Sequence, residues 1–263
     1  MLSNVPGCND EFCFDLDGTT VFHAQRMHDD IKEGLLALER QGGQLYFATA
    51  RPLRDTLPVL PECFWHHPII GCNGAMFSQN KAVVNAHCFD PMQITTVLNW
   101  LDNHEIAYLF DGHWQYAISD KPHHFHQHVA ELGIPPGCNQ ALRHEPIVKL
   151  LVLEDQHHDQ VKHMCEQTLS HFEVYHHNGH HCFDLVPERS NKLTALLDLG
   201  LNMQQTMCFG NDVNDIAMLE AARQAYVVGE QITPNCDYIQ LKQQTVASTL
   251  INLAKEMKHD SQL

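Results

Sequence analysis

Two aspartates that directly follow a short apolar strand constrain this chain more than any other feature. They lie in the segment FCFDLDGT at residues 12–19, as Asp15 and Asp17. Alternation along an extended chain aims both aspartates the same way and turns Leu16 towards the core, while Gly18 permits a sharp turn. Two carboxylates this close repel each other unless a divalent cation lies between them or one of them holds a proton. A solvated acidic turn is the alternative, but the apolar strand favours a site at the carboxyl edge of a parallel sheet, where ligands bind in open α/β folds.

Short apolar runs alternate with helical patterns in the first and last thirds of the chain. We predict strands at residues 11–14, 45–48, 69–71, 207–209 and 225–228. We predict helices from about residue 30, with Asp30-x-x-Glu33 as a capping box, and after Lys192 and Asn214. This alternation is typical of an α/β fold with a doubly wound, mostly parallel sheet that carries helices on both faces.

The rhythm changes in the middle of the chain, where signals of antiparallel hairpins occur. An Asp-Gly pair at residues 111–112 lies between the runs IAYLF and WQYAI, and an Asn-Gly pair at 178–179 lies between FEVYHH and CFDLV. We therefore predict an inserted α+β domain at residues 81–186, called the insert below. Sixteen of the 21 histidines fall in it. The core domain would consist of residues 1–80 and 187–263.

Composition and charge exclude several classes of function. The 263-residue chain has 32 acidic and 16 basic residues, which give a formal net charge of −16. Because nucleic-acid binding requires a basic surface, we expect no nucleic-acid partner. No stretch stays apolar long enough to cross a bilayer and the first residues lack a signal-peptide pattern, so we expect no membrane attachment and a cytoplasmic location. The ten cysteines show no CxxC pair, which favours buried free thiols over disulfides or a zinc site.

Three further segments place polar residues just beyond an apolar strand or at a helix start. Thr49 in YFATAR can offer a hydroxyl and nearby backbone N–H groups to phosphate oxygens, although this motif is weak alone. Lys192 in PERSNKLTALL is either a site cation or a solvated surface lysine. The segment FGNDVNDIAML at residues 209–219 ends a strand in a polar cluster, which is either part of a site or a turn with a helix N-cap.

The order and placement of these segments resemble the haloacid dehalogenase (HAD) superfamily. In detail the chain resembles the Cof-type branch, subclass IIB, in which an α/β cap is inserted between the second and third motifs. The matching features are TARP at residues 49–52, NGA at 73–75, Lys192-x-x-Ala-Leu, and ND-x-x-ML at 214–219. The resemblance covers the core at both ends and the position of the insert, and it says little about the insert's own residues.

The resemblance implies a Mg²⁺-dependent phosphatase that acts on a small phosphorylated metabolite. Asp15 would attack phosphorus, and Asp17 would protonate the leaving oxygen and then activate water. Mg²⁺ would be held by the Asp15 carboxylate, the Asp17 main-chain carbonyl and the fourth motif. Thr49 and Lys192 would bind the phosphoryl oxygens. Arg51 either binds the substrate anion or pairs with an acidic neighbour.

The fourth motif departs from the usual pattern of the resembled branch, Gly-Asp-x-x-Asn-Asp. Asn211 stands where the first aspartate is expected, and Asp212 follows it. We expect the Asn211 side-chain oxygen to be a metal ligand, with Asp215 supporting Lys192 or a metal-bound water. Asp212 is the alternative ligand if the chain turns at Asn211.

Two functions besides a phosphatase stay open at this point. One is a phosphotransferase or mutase that acts on a sugar phosphate, and the other is a non-catalytic binding module of the same fold. The intact set of catalytic residues counts against the binding module. For a phosphatase, a sugar phosphate or a phosphorylated vitamin is the expected substrate.

The histidine-rich insert raises a further hypothesis, which is a second metal site. Adjacent histidines, such as His123-His124 in the insert and His66-His67 before it, point apart on a strand or a helix and make poor chelates there. His124 and His128 are the best candidates, because a helix would place them on one face.

Overall fold

The computed structural model describes residues 10–23, 25–131, 134–176, 181–188 and 190–260, without the side chains of the last two. The strands are β1 (Glu11–Asp15), β2 (Gln44–Ala48), β3 (Ile69–Gly71), β4 (Met76–Gln79), β5 (Ala82–Ala86), β6 (Tyr108–Asp111), β7 (Tyr116–Ile118), β8 (Lys149–Val152), β9 (Phe172–His176), β10 (Phe183–Pro187), β11 (Thr206–Gly210), β12 (Gln224–Val228) and β13 (Tyr238–Leu241). The helices are α1 (Asp29–Arg40), α2 (Leu53–Thr56), α3 (Pro91–Asn103), α4 (His124–Ala130), α5 (Asn139–Leu142), α6 (His158–Thr168), α7 (Lys192–Asp198), α8 (Ile216–Ala221) and α9 (Val246–Asp260).

Eight strands form the larger sheet, in the order β13-β12-β11-β1-β2-β3-β4-β5. The six strands from β13 to β3 run parallel, whereas β4 and β5 add an antiparallel edge. Strand β1 lies between β2, which follows it in the chain, and β11, which returns from the far end of the sequence. The order of the strands therefore reverses at β1, and the predicted α/β fold is confirmed.

Both faces of the larger sheet are covered because its central strands alternate between two apolar layers. On one face Phe14 packs between Phe47 and Phe209, with ring centroids 6.2 and 4.8 Å away, beneath α1 and α9. On the other face Cys13 packs with Met218 beneath α7 and α8. Fully buried aromatic side chains contribute about 1.5–3 kcal/mol each, so these layers fix the direction in which the strand ends point.

The smaller sheet has five antiparallel strands in the order β7-β6-β8-β10-β9 and is covered by α3 and α6. The predicted hairpin at residues 111–112 is confirmed as β6 and β7, whereas the predicted Asn-Gly turn at 178–179 lies outside the described residues. Strand β5, which we assigned to the insert, pairs with β4 in the larger sheet. The division of the chain at residues 81 and 186 stays a prediction.

Two local predictions were wrong. The helix α1 begins at Asp29 rather than after Asp30, and Asp30 Oδ1 accepts only from the N–H of Ile31, so no capping box forms there. The nine described cysteines are free, but Cys63 and Cys138 are exposed rather than buried. Among the described helices, none has the length and apolarity needed to cross a membrane.

Candidate active site

The candidate site lies where β1, β2 and β11 end, at the point where the strand order reverses. Open α/β sheets bind ligands at such a point, because the connections on either side leave in opposite directions. Asp15 is the last residue of β1 and pairs with Ala48, which brings Thr49 beside it. Asn211 follows the last residue of β11. Sequence-distant motifs therefore meet because of the sheet's register.

Asp15, Lys192 and Asp215 form a buried ion-paired triad. Lys192 Nζ donates to Asp15 Oδ1 and to Asp215 Oδ1, both at 2.6 Å. Burial, followed by the charge of Asp215, raises the pKa of the Asp15 carboxyl to about 7, although Lys192 opposes the shift. Burial would lower the pKa of Lys192, but the two carboxylates raise it above its ordinary value. One lysine therefore does not compensate both buried carboxylates, and a further cation would stabilise ionised Asp15.

The Asn211 amide fills the space between Asp15 and Asp17. With the amide oriented to satisfy its neighbours, Nδ2 donates to Asp15 Oδ2 at 3.0 Å, to the Asp17 carbonyl at 2.8 Å and to Thr19 Oγ1 at 2.9 Å. A half-turn of the amide would present Oδ1 to the same place. Asn211 can thus act either as a hydrogen-bond donor to the two oxygens expected to hold a metal, or as a third oxygen beside them.

Two glycines permit this close packing. Gly18 has φ +80°, and a Cβ there would collide with the Asn211 amide. Gly74 of the NGA segment has φ +107°, and a Cβ there would collide with the backbone of Asn191, which caps α7 beside Lys192. Both positions need a left-handed backbone and lack room for a side chain.

Arg51 pairs with Asp17 through two hydrogen bonds. Nε lies 2.6 Å from Oδ2 and a terminal nitrogen lies 2.7 Å from Oδ1. The Arg51 backbone N–H donates to Thr49 Oγ1 at 3.1 Å, so the Thr49 hydroxyl also shapes this turn. Burial would lower the pKa of Arg51, but Asp17 raises it above its ordinary value. Of the two roles left open for Arg51, the structure displays the pairing with an acidic neighbour.

Asp215 and Asp212 occupy different environments although both belong to the fourth motif. Asp215 is fully buried, and its Oδ2 accepts from the backbone N–H groups of Asn211 and Asp212 at 2.9 and 3.1 Å. Asp212 is half-buried and caps the short 3-10 turn that begins at Val213. The structure therefore brings Asn211 and Asp215 towards Asp15, and it turns Asp212 into a helix cap.

Several residues near the site were missing from the sequence prediction. Asn73 joins the two sheets, because its amide donates to Asp184 Oδ2 at 3.1 Å and its oxygen accepts from Asn214 at 2.8 Å. Lys149 of β8 donates to the carbonyl of Ala50, one residue beyond Thr49, at 3.2 Å. Lys149 could have been suspected because it interrupts the apolar run IVKLLVL, and a buried lysine needs partners.

The residues present fit a small hard divalent cation. Asp15 Oδ2, the Asp17 carbonyl and the Asn211 amide converge within hydrogen-bond distances, and all three groups can supply oxygen, the ligand type that Mg²⁺ prefers. A buried carboxyl that lacks compensating positive charge has a raised pKa, and the pKa of Asp15 is raised. HAD phosphatases are generally metal-dependent.

The chain is similar in sequence to known hydrolases. The sequence profile of the haloacid dehalogenase-like hydrolase family matches residues 12–245. The HMP-PP phosphatase of Serratia proteamaculans is 25% identical over 239 residues, 83% of each chain, and that of Cronobacter sakazakii is 24% identical over 242 residues, 82% of each chain.

Solved structures share the fold at lower identity. A haloacid dehalogenase-like hydrolase from Bacteroides thetaiotaomicron superposes with a TM-score of 0.78 at 18% identity, covering 93% of this chain and 99% of that one. A sugar phosphatase of HAD subclass IIB superposes with a TM-score of 0.71 at 18% identity, covering 97% and 100%. This chain therefore belongs to the haloacid dehalogenase-like hydrolase family, within its Cof-type phosphatases, as the sequence predicted.

Proposed function

We propose that this protein hydrolyses the phosphate monoester of a small metabolite through an aspartyl-phosphate on Asp15. The observation that carries the proposal is the buried triad of Asp15, Lys192 and Asp215 at the switch point of the sheet. A nucleophilic carboxylate has to be ionised when the substrate arrives. A buried carboxylate that is paired with a lysine at a ligand-binding edge meets this need. The fully solvated turn considered from sequence does not fit, because Asp15 is only 5% exposed.

In the first half-reaction an oxygen of Asp15 attacks phosphorus and the bond from phosphorus to the leaving oxygen breaks. Asp17 gives its proton to that oxygen. Lys192 and the Thr49 loop spread the negative charge of the transferring phosphoryl group. Asp17 must be protonated to act, so its pair with Arg51 has to open first, and an incoming phosphate can open it by competing for the guanidinium.

In the second half-reaction Asp17 takes a proton from water as the water attacks the aspartyl-phosphate. The bond between phosphorus and Asp15 then breaks, which releases inorganic phosphate and restores the carboxylate. Asp17 can reach both the leaving group and solvent because its side chain is 45% exposed. Its exposure contrasts with the burial of Asp15 and suits a group that exchanges protons.

We assign the cofactor as Mg²⁺, held by Asp15, the Asp17 carbonyl and Asn211. When bound, it would neutralise the nucleophile and the phosphoryl oxygens. Asp215 would position Lys192 and the loop at residues 211–212 rather than touch the cation, and Asp212 would cap the following turn.

For the substrate we propose a small phosphorylated metabolite, with the HMP-PP named for two relatives and phosphorylated vitamins ahead of sugar phosphates. The similarity to two HMP-PP phosphatases over 82–83% of the chain supports this order. The insert at residues 81–186 would act as a lid over the organic part of the substrate. The insert contacts the loops of the larger sheet through the hydrogen bonds between Lys149 and Ala50 and between Asp184 and Asn73. These bonds lie near the candidate site, so a ligand bound at the site could affect them.

A substrate screen tests the proposal. Purified protein is assayed for inorganic phosphate release from HMP-PP, pyridoxal phosphate and a panel of sugar phosphates, with Mg²⁺ or EDTA, beside an Asp15→Asn control. We expect the release of inorganic phosphate to need Mg²⁺ and Asp15. We expect kcat/KM to be higher for HMP-PP or pyridoxal phosphate than for the sugar phosphates. Transfer of phosphate between sugars without stoichiometric phosphate release would establish the mutase instead.

A further inference from the structure

A group of three potential metal ligands lies where strands of the larger sheet begin, at the opposite strand ends from Asp15. Glu39 is near the end of α1, and His66 and His67 lie in the turn that precedes β3. Both elements meet at the amino ends of β2 and β3, whereas the candidate active site is at the carboxyl ends. Among the described residues, no other three His, Cys, Asp or Glu side chains bring their ligand atoms within 4.8 Å of one another.

The distances in this group match the spacing of ligands around one tetrahedral ion. Glu39 Oε1 lies 3.1 Å from His67 Nε2 and 3.6 Å from His66 Nε2. With zinc-to-nitrogen and zinc-to-oxygen distances of about 2.0–2.2 Å, tetrahedral ligands lie about 3.4 Å apart. The two observed distances fall on either side of that value. The adjacent histidines converge because they lie in a turn, whereas a regular strand or helix would have pointed them apart.

His67 has the environment of a ligand rather than of a surface histidine. Its side chain is 11% exposed, and its Nε2 is buried facing Glu39 Oε1 at ion-pair distance. Burial and then His66 lower the pKa of His67, which favours the neutral form that binds metals.

We propose that Glu39, His66 and His67 form a second metal site for a borderline-soft divalent transition metal such as Zn²⁺. The donor set of two imidazoles and one carboxylate suits zinc and is poorly matched to Mg²⁺, which prefers oxygen ligands. The fourth position faces solvent beside His66, whose side chain is 59% exposed, so water completes the coordination. The bound ion would tie the end of α1 to the turn before β3 and so stabilise the larger sheet.

Metal titration of the full chain tests the site separately from phosphatase activity. Chelator-stripped protein in excess Mg²⁺ is titrated with Zn²⁺ against a chromophoric competitor, and with Co²⁺ to record the visible absorption of tetrahedral coordination. We expect one tightest site in the wild type. Glu39→Gln and His66→Ala should each weaken it by at least about tenfold and abolish the Co²⁺ band. Both changed side chains are partly exposed, so the fold should tolerate them, and circular dichroism checks this.

His124→Ala is the matched control. His124 is an exposed member of the adjacent pair His123-His124, whose rings lie 4.2 Å apart without a comparable third ligand. This variant should keep the tightest site. Equal Zn²⁺ affinity and an equal Co²⁺ spectrum in the wild type, Glu39→Gln and His66→Ala would overturn the proposal, whatever the substrate screen gives.

Discussion

Arg51 holds both carboxylate oxygens of Asp17, at 2.6 and 2.7 Å. In the proposed mechanism a substrate phosphate competes with Asp17 for this guanidinium, and Asp17 has to leave it before it can carry a proton. We therefore expect phosphate binding and release of Asp17 to be coupled through Arg51.

We predict that Asp17→Ala binds inorganic phosphate about tenfold more tightly than the wild type, because Arg51 becomes free. Arg51→Ala should weaken phosphate binding, and the double variant should lose the gain of Asp17→Ala. Isothermal titration with phosphate in Mg²⁺ measures all three. Asp212→Ala removes a carboxylate of the fourth motif that caps a turn, and it serves as the control for loss of a charge. A gain that persists in the double variant would show that removal of charge alone, rather than release of Arg51, causes it.

A second prediction concerns the amide at the proposed metal position. Asn211→Asp replaces a donor to Asp15 and to the Asp17 carbonyl with a carboxylate, so the metal-free site should be destabilised by about 1–3 kcal/mol. Added Mg²⁺ should then raise the melting temperature of Asn211→Asp more than that of the wild type. Thermal unfolding in EDTA and in Mg²⁺ measures both effects. If the Mg²⁺-induced rise is no larger in Asn211→Asp, residue 211 does not face the metal.

The two aspartates of the fourth motif should differ sharply. Asp215→Ala leaves Lys192 with one carboxylate and strands two buried N–H groups, so we expect a loss of about 3–5 kcal/mol in the free energy of unfolding, together with loss of activity. Asp212→Ala removes a helix cap and should cost about 1 kcal/mol with activity largely kept. Urea unfolding and Mg²⁺-dependent turnover measure both. Loss of the Mg²⁺ requirement in Asp212→Ala alone would identify Asp212 as the ligand.

A fourth prediction concerns acid stability of the smaller sheet. His126 of α4 is 6% exposed and its Nε2 contacts the Tyr108 carbonyl at 3.0 Å. Burial lowers the pKa of His126 from its ordinary 6.5, although the Tyr108 contact opposes the shift. The unfolded chain therefore takes up this proton at higher pH than the folded one. The stability that neutral His126 contributes to the folded protein is complete above pH 6.5. It is lost as the pH falls from there through the lowered pKa.

The comparison variant for this effect is His126→Gln, which keeps a donor for Tyr108 but does not titrate. As the pH falls from 7 to 5, the wild type should lose up to about 1 kcal/mol more of its unfolding free energy than His126→Gln loses. A difference that stays constant over this interval would contradict the assignment.

The sequence was most informative where local chemistry and strand placement act together. The position of Asp15 after an apolar strand, and of Thr49 and Asn211 after two others, was enough to bring these residues to one edge, because parallel strands end together. The sequence therefore predicted the α/β fold, and the structure brings Asp15, Thr49 and Asn211 to one edge of the larger sheet.

What the sequence did not predict depends on tertiary partners. Either reading of Arg51 suited the sequence, and only the fold brings Asp17 to it. Lys149 belongs to the smaller sheet, whereas Ala50 lies in the loop that follows β2 of the larger one, and no local pattern links them. His66 and His67 were dismissed as a chelate on the assumption of regular structure, but a turn brings their rings within 4.1 Å.

The central claim is that Asp15 becomes covalently phosphorylated, and trapping that intermediate tests it most directly. Wild type, Asp17→Asn and Asp15→Asn are mixed in Mg²⁺ with the best substrate of the screen and, separately, with an activated aryl phosphate. Each reaction is quenched in acid within the first turnover, and the protein is digested for mass spectrometry. We expect a phosphorylated peptide that contains Asp15, and we expect it to be absent in Asp15→Asn. With the activated aryl phosphate, this peptide should be enriched in Asp17→Asn, because the breakdown of the intermediate lacks its base. Rapid turnover with no phosphorylated Asp15 in either protein, or equal phosphorylation in Asp15→Asn, would contradict it.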